Sequence, residues 1–475
     1  MPLIIPANSL TGGYEIDNSL RFNVGSSDSL ERTVGSGGST TTGTISFWVK
    51  RGDTGATQYF YANKNTVSNA GFGFLLSSDS FYVFQYDGTS PFNPANYQIN
   101  LITSSVFRDY SAWYHFVLVI DTSNGTEANR IRLYVNGTQQ TLNKTGNMPT
   151  VTLNLSVPFL YDGGVSKICS DYAGGNFFGG YLSEFNLIDG QALAPSDFGE
   201  FDSATGIWKP IAYTGTYGTN GFYLEFKDSS ALGDDTSGNG NDFTVNNLTS
   251  IDQTTDTPTN NFATANPLAA QGGSSAGPSG VTFSNGNLEV GSVVGETAIG
   301  NLGVDTGKWF WEVKVLTDQD GLAIGGANQY YNLDAELGYN SPSSPSDAKV
   351  FGYYGGSGNK FITVGDGSQF TSYGSAIAVN DIIGVALNLD DNEVTFYLNG
   401  SSQGTFSITA LGSGELYFPA VGNWSASAIT TSFNFGSPAF TIASSNSDAN
   451  GYGNFEYAVP SGYYALCTKN LAEYG

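Results

Sequence analysis

The sequence has little cysteine and little histidine, and each scarcity excludes a class of protein. Only Cys169 and Cys467 occur among 475 residues, so a disulfide-stapled secreted scaffold is not expected. We interpret both as buried thiols rather than as a bonded pair. His115 is the one histidine, and nothing around Ser111 or Cys169 resembles the nucleophile elbow of a hydrolase. We therefore interpret His115 as a packing residue.

Cations and long apolar runs are scarce as well. Lys and Arg number 17 against 42 Asp and Glu, and 17 − 42 gives a formal charge of −25. Such a surface repels nucleic-acid phosphates and anionic lipid headgroups, so we expect no nucleic-acid partner. No run of 18 apolar residues is present, and we expect no membrane insertion. Residues 1–8 lack the basic and apolar regions of a signal peptide, so we expect synthesis in a cytoplasm.

Short alternating apolar runs and turn residues are abundant. The 62 glycines indicate many short strands joined by turns, and sustained helical periodicity is missing. Two runs, at 131–138 and 394–401, alternate and then meet Asn-Gly, the strongest short signal for a tight hairpin. Each follows another strand-like run, at 116–121 and 382–390. Two hairpins of one design, each among its own strands, predict two β-sandwiches in tandem.

The chain divides into four segments on this pattern. Residues 1–15 are expected to form an extended arm that could add to a neighbour's sheet edge, with a frayed terminus as the alternative. Residues 16–230 are predicted to form the first sandwich and 280–475 the second. Between them, 231–279 is rich in Gly, Ser, Pro and Asn, so we interpret it as a turn-rich connector.

Both predicted sandwiches resemble known families. The first, over about residues 15–200, resembles the laminin-G-like, concanavalin-A-like jelly roll, on the segments ISFWVK, WYHFVLVID, RLYVNG and GYLSEFNLIDGQAL in family order. The second, over about 280–440, is similar to a SPRY domain, on the segments GKWFWEV, GLAIGGA, DIIGVALNLDDNEVTFYLNG, LYFPAV and SFNFG. These resemblances imply an all-β fold of two tandem concanavalin-A-like jelly-roll sandwiches.

The connector carries a third resemblance. Its segments DDTSGNGNDF and DTPTNNF look like parts of tail and other virion proteins of marine bacteriophages. This implies a virion-surface protein made in the host cytoplasm, with other virion proteins as partners, and we expect a homo-oligomer. The implied job is that of a fibre or receptor-binding adhesin that recognises a host-surface glycan or protein. The alternatives are a purely structural decoration protein and, less favoured, a polysaccharide hydrolase.

Two sets of residues are candidates for ligand contact. Tyr353, Tyr354 and Trp424 are the aromatic residues that we expect at the surface, where they could stack on sugar rings. Hydrolysis would instead need two facing carboxylates, and the glutamates within predicted strands form no local pair. We therefore expect no enzyme activity. Those glutamates are Glu184, Glu225 and Glu312.

A calcium loop is the remaining candidate. Asp235, Ser237 and Asn239, followed by Gly240, match the start of an EF-hand loop. The twelfth position is Asn246, so the bidentate glutamate is missing. An Asx-rich turn is the alternative that the sequence favours. We expect no cofactor other than calcium at this loop.

Overall fold

The computed structural model describes residues 13–52, 57–64, 70–86, 97–146, 150–269, 280–292, 294–331, 337–338, 347–364 and 369–475. The fold is all-β, as predicted, and its strands form several β-sandwich sheets. Among the described residues, those up to Thr259 form one compact unit and those from Asn260 onward form a second. Most of the predicted N-terminal arm, residues 1–12, lies outside the described residues. No helix of the described part is long and apolar enough to cross a membrane.

The first unit consists of short strands with four single 3₁₀ turns among the described residues. The 3₁₀ turns are Glu127–Asn129, Pro158–Leu160, Pro195–Asp197 and Ser250–Asp252. The strands are β1 (Ser19–Phe22), β2 (Ser29–Thr33), β3 (Thr42–Arg51), β4 (Gln58–Lys64), β5 (Gly71–Ser77), β6 (Ser80–Tyr86), β7 (Tyr97–Thr103), β8 (Trp113–Asp121), β9 (Ile131–Val135), β10 (Thr138–Gln139), β11 (Leu142–Lys144), β12 (Val165–Ile168), β13 (Gly180–Asp189), β14 (Gly199–Phe201), β15 (Trp208–Pro210), β16 (Phe222–Leu224), β17 (Thr244–Asn246) and β18 (Gln253–Thr254).

Two sheets face each other in this unit. The first has the order β10-β9-β8-β3-β13-β1-β18, with β16 also paired to β13, and the second has the order β11-β7-β6-β5-β4-β12-β2-β17. Side chains alternate between the two faces of a strand. Phe47 of β3 therefore points into the core, where its ring lies 5.7 Å from Phe116 and 5.2 Å from Phe185. Its neighbours Trp48 and Lys50 point to the opposite face.

The outer face of the first sheet is buried by later parts of the chain. Trp48, Trp113, Tyr181 and Trp208 form a second apolar layer there. The strands β17 and β18 pair with β2 and β1. The expected connector is therefore not a separate segment, because its residues 231–259 complete the first unit. Turn-rich composition concealed these pairings, since β17 has three residues and β18 has two.

The second unit has two sheets of its own. The elements are β19 (Thr282–Ser284), β20 (Glu289–Ser292), β21 (Glu296–Ile299), β22 (Lys308–Val315), β23 (Leu322–Asn328), β24 (Lys349–Tyr354), β25 (Asn359–Val364), β26 (Gln369–Ser372), β27 (Ile382–Asn388), β28 (Glu393–Leu398), β29 (Ser401–Ser407), the 3₁₀ turn Thr409–Leu411, β30 (Tyr417–Asn423), β31 (Ile429–Asn434), β32 (Tyr464–Ala465) and α1 (Thr468–Tyr474). The strand orders of the two sheets are β19-β20-β31-β22-β27-β28-β29, with β32 parallel to β22, and β21-β30-β23-β24-β25-β26.

Candidate functional site

The most distinctive surface of the first unit is an aromatic patch on the outward face of its second sheet. Phe84 and Tyr86 of β6 lie flat against β5, because Gly73 and Gly71 stand opposite them and have no side chains. A Cβ at Gly73 would come within 2.7 Å of the Phe84 ring, and one at Gly71 within 2.6 Å of the Tyr86 ring. The two rings are nearly parallel, with an interplanar angle of 9°. They form the base of the patch.

Three half-buried tyrosines stand steeply against this base. The Tyr59 ring meets Phe84 at 80°, with centroids 5.8 Å apart, and the Tyr97 ring meets Phe84 at 83° and 6.4 Å. Tyr172 is tilted by 53° against Tyr86. The first two of these contacts are edge-to-face, an arrangement that is favourable for aromatic rings. We call the patch the tyrosine platform, defined as Tyr59, Tyr82, Phe84, Tyr86, Tyr97 and Tyr172.

Hydrogen-bonding groups border the platform. The Tyr82 hydroxyl donates to Asn100 Oδ1, and it lies 2.8 Å from the Thr145 hydroxyl. The Lys64 ammonium lies over the Tyr172 ring, 4.6 Å from its centroid, which is cation–π geometry. The platform thus combines ring surfaces with adjacent donors and acceptors. A sugar ring needs this combination, since its C–H faces are apolar and its edges carry hydroxyls.

Three of the platform tyrosines, Tyr59, Tyr97 and Tyr172, are uncharged near neutral pH. Burial raises the pKa of Tyr59, Tyr97 and Tyr172, and neighbouring acidic or tyrosine groups raise it further. A hydrogen bond with Tyr86 opposes the shift at Tyr172. Their hydroxyls therefore keep their protons, so they can both donate and accept hydrogen bonds. The platform is suited to a neutral polar ligand more than to an ion.

The aromatic residues predicted in the second unit are separated by the fold. Tyr353 is 0% exposed, so the expectation that it lies at the surface is wrong. It falls on the core-facing side of β24, where it packs against Tyr373 and Phe396 and its hydroxyl donates to the Ser375 carbonyl. Its neighbour Tyr354 faces the other side, because adjacent residues of a strand alternate.

Tyr354 and Trp424, the other two candidate aromatic residues, contact each other. Both are partly buried, with ring centroids 5.5 Å apart, and Phe370 packs against each of them. Their polar atoms are used internally: Tyr354 Oη donates to the Asp320 carbonyl at 2.7 Å, and Trp424 Nε1 donates to the Leu337 carbonyl at 2.8 Å. This cluster tethers two loops, so ligand binding there stays a prediction.

The predicted calcium loop is a hydrogen-bonded turn. Asp235 Oδ1 accepts the backbone N–H groups of Tyr223 and Ser237, each at 2.9 Å, and Oδ2 accepts that of Asn241 at 2.8 Å. Asn239 Nδ2 donates to the Gly218 and Gly221 carbonyls at 2.7 and 2.9 Å. The contacts favour the Asx-turn interpretation over a calcium ligand set.

The described residues also contain no group of three or more His, Cys, Asp or Glu side chains arranged to hold a metal ion. The Ser237 hydroxyl accepts the Asn239 N–H at 3.3 Å. Calcium at this loop stays a prediction that these contacts do not favour.

His115 is built into the second apolar layer of the first unit. Its ring stacks on Trp48 at 4.6 Å, Trp208 Nε1 donates to its Nδ1 at 2.9 Å, and its Nε2 lies 2.8 Å from the Ser46 hydroxyl. Because Nδ1 accepts, Nε2 carries the proton and donates to Ser46. Burial lowers the pKa of His115 to about 3, so the ring is neutral. This environment is that of a packing residue.

Glu184 lies at a bulge in β13 where the backbone is strained. Its φ of +52° is in the left-handed region, and the register of β13 on β3 shifts between Ser183 and Asn186. The Tyr14 and Tyr223 hydroxyls donate to its carboxylate at 2.9 and 2.7 Å. Burial raises the pKa of Glu184 to about 7, against these hydrogen bonds.

Replacement of Glu184 by Gln is expected to change the pH dependence of stability. The folded state holds the proton up to about pH 7, whereas the unfolded chain releases it near 4.5, so the free energy of unfolding falls as pH rises through this window. Over 7 − 4.5 = 2.5 pH units the contribution is about 3 kcal/mol. Glu184→Gln does not titrate, and Tyr hydroxyls can accept from its amide. Between pH 4.5 and pH 8, the free energy of unfolding measured in urea should rise by about 3 kcal/mol in the variant relative to the wild type. A difference between the two proteins that is the same at both pH values would contradict the raised pKa of Glu184.

The platform is not among the sites predicted from the sequence, although the sequence contains a signal for it. Residues 71–74 read Gly-Phe-Gly-Phe and 81–86 read Phe-Tyr-Val-Phe-Gln-Tyr. In the second run, large aromatic residues occupy both faces of one strand. Only one of those faces can meet the core, and glycines at alternate positions of the partner strand indicate rings lying flat on the other face.

Comparisons with known proteins support both resemblances. Residues 24–197 match the model of the "Concanavalin A-like lectin/glucanases superfamily", and 308–437 match that of the SPRY domain. The chain is 34% identical over 141 residues to the ATP-dependent RNA helicase Ddx1 of Drosophila melanogaster, covering 30% of this chain and 17% of that protein. It is 33% identical over 100 residues to Ran-binding protein 9 of Xenopus laevis, covering 21% and 16%. The chain thus spans about a sixth of the length of these curated relatives.

Two solved structures that the chain is similar to have low sequence identity and low TM-scores. The SPRY domain of human HERC1 is 18% identical, with 36% of this chain and 96% of that chain covered and a TM-score of 0.27. A SAP-like pentraxin from Limulus polyphemus is 16% identical, with 38% and 80% covered and a TM-score of 0.28.

Proposed function

We propose that this chain, which carries a concanavalin-A-like domain followed by a SPRY domain, is a carbohydrate-binding adhesin that uses the tyrosine platform. One observation supports the proposal above the others: half-buried, uncharged tyrosines stand around two rings that lie flat on a glycine-bearing strand. Phe84 and Tyr86 are only 6% and 1% exposed, so a ligand would meet the three tyrosines that stand over them and keep part of their surface exposed. Such rings suit a sugar, because a pyranose presents an apolar face of C–H groups.

The surrounding polar groups agree with this ligand class. Tyr82, Asn100 and Thr145 form a linked set of hydroxyl and amide groups at one side of the platform. A charge of −25 disfavours acidic polysaccharides through long-range repulsion. The proposed ligand is therefore a neutral glycan on a target surface.

The setting that we propose is the surface of a bacteriophage particle. The support for this setting is the likeness of residues 234–262 to virion proteins. The comparisons with known proteins add nothing to it. If the protein is a virion component, antibodies against residues 280–475 should label intact particles. Particles that lack label after the protein has been detected in the lysate would contradict this setting.

Substitution of platform tyrosines tests the binding proposal. A glycan array should identify neutral glycans that bind the full chain, and Tyr97→Ala or Tyr172→Ala should weaken the best one by about 10- to 30-fold, as for other central aromatic contacts. Tyr161→Ala is the matched control, since Tyr161 is 38% exposed and outside the platform. Thermal unfolding of each variant separates loss of binding from loss of fold. Equal affinities for the wild type and both platform variants would contradict the proposal.

A further inference from the structure

A cavity opens at one lateral edge of the first unit, between its two sheets. It encloses about 520 Å³, within the range of about 300 to 1,000 Å³ usual for small-molecule sites. Its apolar lining is Leu101 from β7, Ile131 from β9, Leu142 from β11 and Val151. Three of these side chains are almost fully buried, so the cavity reaches the hydrophobic core.

An ion pair belongs to the rim of the same cavity. Lys144 Nζ lies 2.7 Å from Glu127 Oε1, which also accepts the Val151 N–H at 3.1 Å. Both charged side chains line the cavity. Because the ammonium is already paired, an anionic headgroup would gain little from it and would face the Glu127 carboxylate. A ligand with an apolar chain and an uncharged polar end fits this rim.

The cavity lies beside the tyrosine platform, across one edge strand. Lys144 stands opposite Leu101 in the register of β11 on β7 and lines the cavity. The next residue, Thr145, points the other way, and its hydroxyl lies 2.8 Å from that of Tyr82 in the platform. Two consecutive residues therefore border the two sites. One ligand that passes around β11 can occupy both.

We propose that the cavity receives the alkyl or acyl chain of an amphiphile whose neutral sugar head lies on the tyrosine platform. Binding of the sugar head rests on the proposed function, whereas binding of the alkyl or acyl chain in the cavity does not. Each methylene that enters the cavity contributes hydrophobic free energy in addition to any contact made by the sugar. The ligand class is a glycolipid-like saccharide.

Calorimetric titration of the full chain with methyl and octyl β-glucoside, the latter below its micelle concentration, tests the proposal. Octyl glucoside should bind about 50-fold more tightly, as expected when about three methylenes are buried. Ala128→Trp should abolish this gain and leave methyl glucoside binding unchanged, because Ala128 is an exposed residue at the cavity. Thr126→Trp, on the same exposed loop but outside the lining, is the matched control and should retain the gain.

The possible results distinguish binding of the sugar head from binding of the alkyl chain. Equal affinity for the two glucosides would overturn the binding of the alkyl chain in the cavity. So would a gain in octyl glucoside affinity that persists in Ala128→Trp. Octanoate binding as tightly as octyl glucoside overturns the neutral sugar head. An octyl gain that persists when Tyr97→Ala leaves both glucosides unaffected supports the cavity and contradicts the proposed function.

Discussion

Lys50→Met is expected to destabilise the first unit by about 3 to 5 kcal/mol, the usual cost of removing one partner from a buried ion pair. Lys50 and Asp256 are 0% and 1% exposed, and their Nζ and Oδ2 atoms lie 2.7 Å apart. Burial lowers the pKa of Lys50, and Asp256 opposes that shift. Methionine fills a similar volume but leaves the Asp256 carboxylate buried with Trp113 Nε1, at 3.2 Å, as a remaining donor.

Hydrogen exchange of β3 and β8 at pH 7 measures this loss within the first unit. Lys209→Met is the matched control, since Lys209 pairs with Glu200 at 3.2 Å on an accessible surface and should show no measurable change. The double variant Lys50→Met/Asp256→Leu should recover part of the stability, because no charge is left buried. If Lys50→Met exchanges like Lys209→Met, residue 256 does not belong to the first unit as described.

Glu312→Ala is expected to destabilise the second unit by about 4 kcal/mol, because it removes the acceptor of three hydrogen bonds, one of them buried and two partly buried. Glu312 is 0% exposed on the outer side of β22. Its Oε2 accepts Asn434 Nδ2 at 2.9 Å and the Glu456 N–H at 3.0 Å, and its Oε1 accepts the Tyr457 N–H at 2.9 Å. Burial raises the pKa of Glu312 to about 7, and these three donors oppose the shift.

The same contacts fasten the C-terminal segment of the second unit to its sheet. Hydrogen exchange should therefore accelerate first at the amides of Glu456 and Tyr457 in Glu312→Ala. Glu289→Ala is the matched control, because Glu289 is a partly exposed glutamate in β20 that accepts a hydrogen bond from the exposed Ser284 hydroxyl at 3.2 Å. Unchanged protection of residues 456 and 457 in the Glu312 variant would show that the carboxylate does not hold the segment.

The two hairpins were predictable because their chemistry is local. Asn136 and Gly137 have φ values of +46° and +76°, and Asn399 and Gly400 have +47° and +76°. Positive φ at both central residues defines the type I′ turn that Asn-Gly favours. Each Asn side chain also accepts a backbone N–H from the strand before the hairpin, that of His115 at 2.8 Å in the first hairpin and an equivalent one at 2.9 Å in the second. The turn itself, however, occupies the same residues as the Asn-Gly signal that predicts it.

The end of the first unit and the face on which an aromatic residue lies depend on distant pairing. The contact of Asp256 with Lys50 joins residues 206 positions apart, and no local pattern announces it. Tyr353 and Tyr354 have the same side chain, and only the register of β24 decides which is buried. Sequence therefore predicted the fold class and the turns, but it misplaced the domain boundary and one of the three candidate aromatic residues.

A crystal structure of the full chain with the neutral oligosaccharide that binds best on the array tests the central proposal most directly. We expect a sugar ring packed against Tyr97 and Tyr172, with its hydroxyls near Tyr82 and Asn100. Oligosaccharide bound instead at Tyr354 and Trp424, or elsewhere with an empty platform, would contradict it.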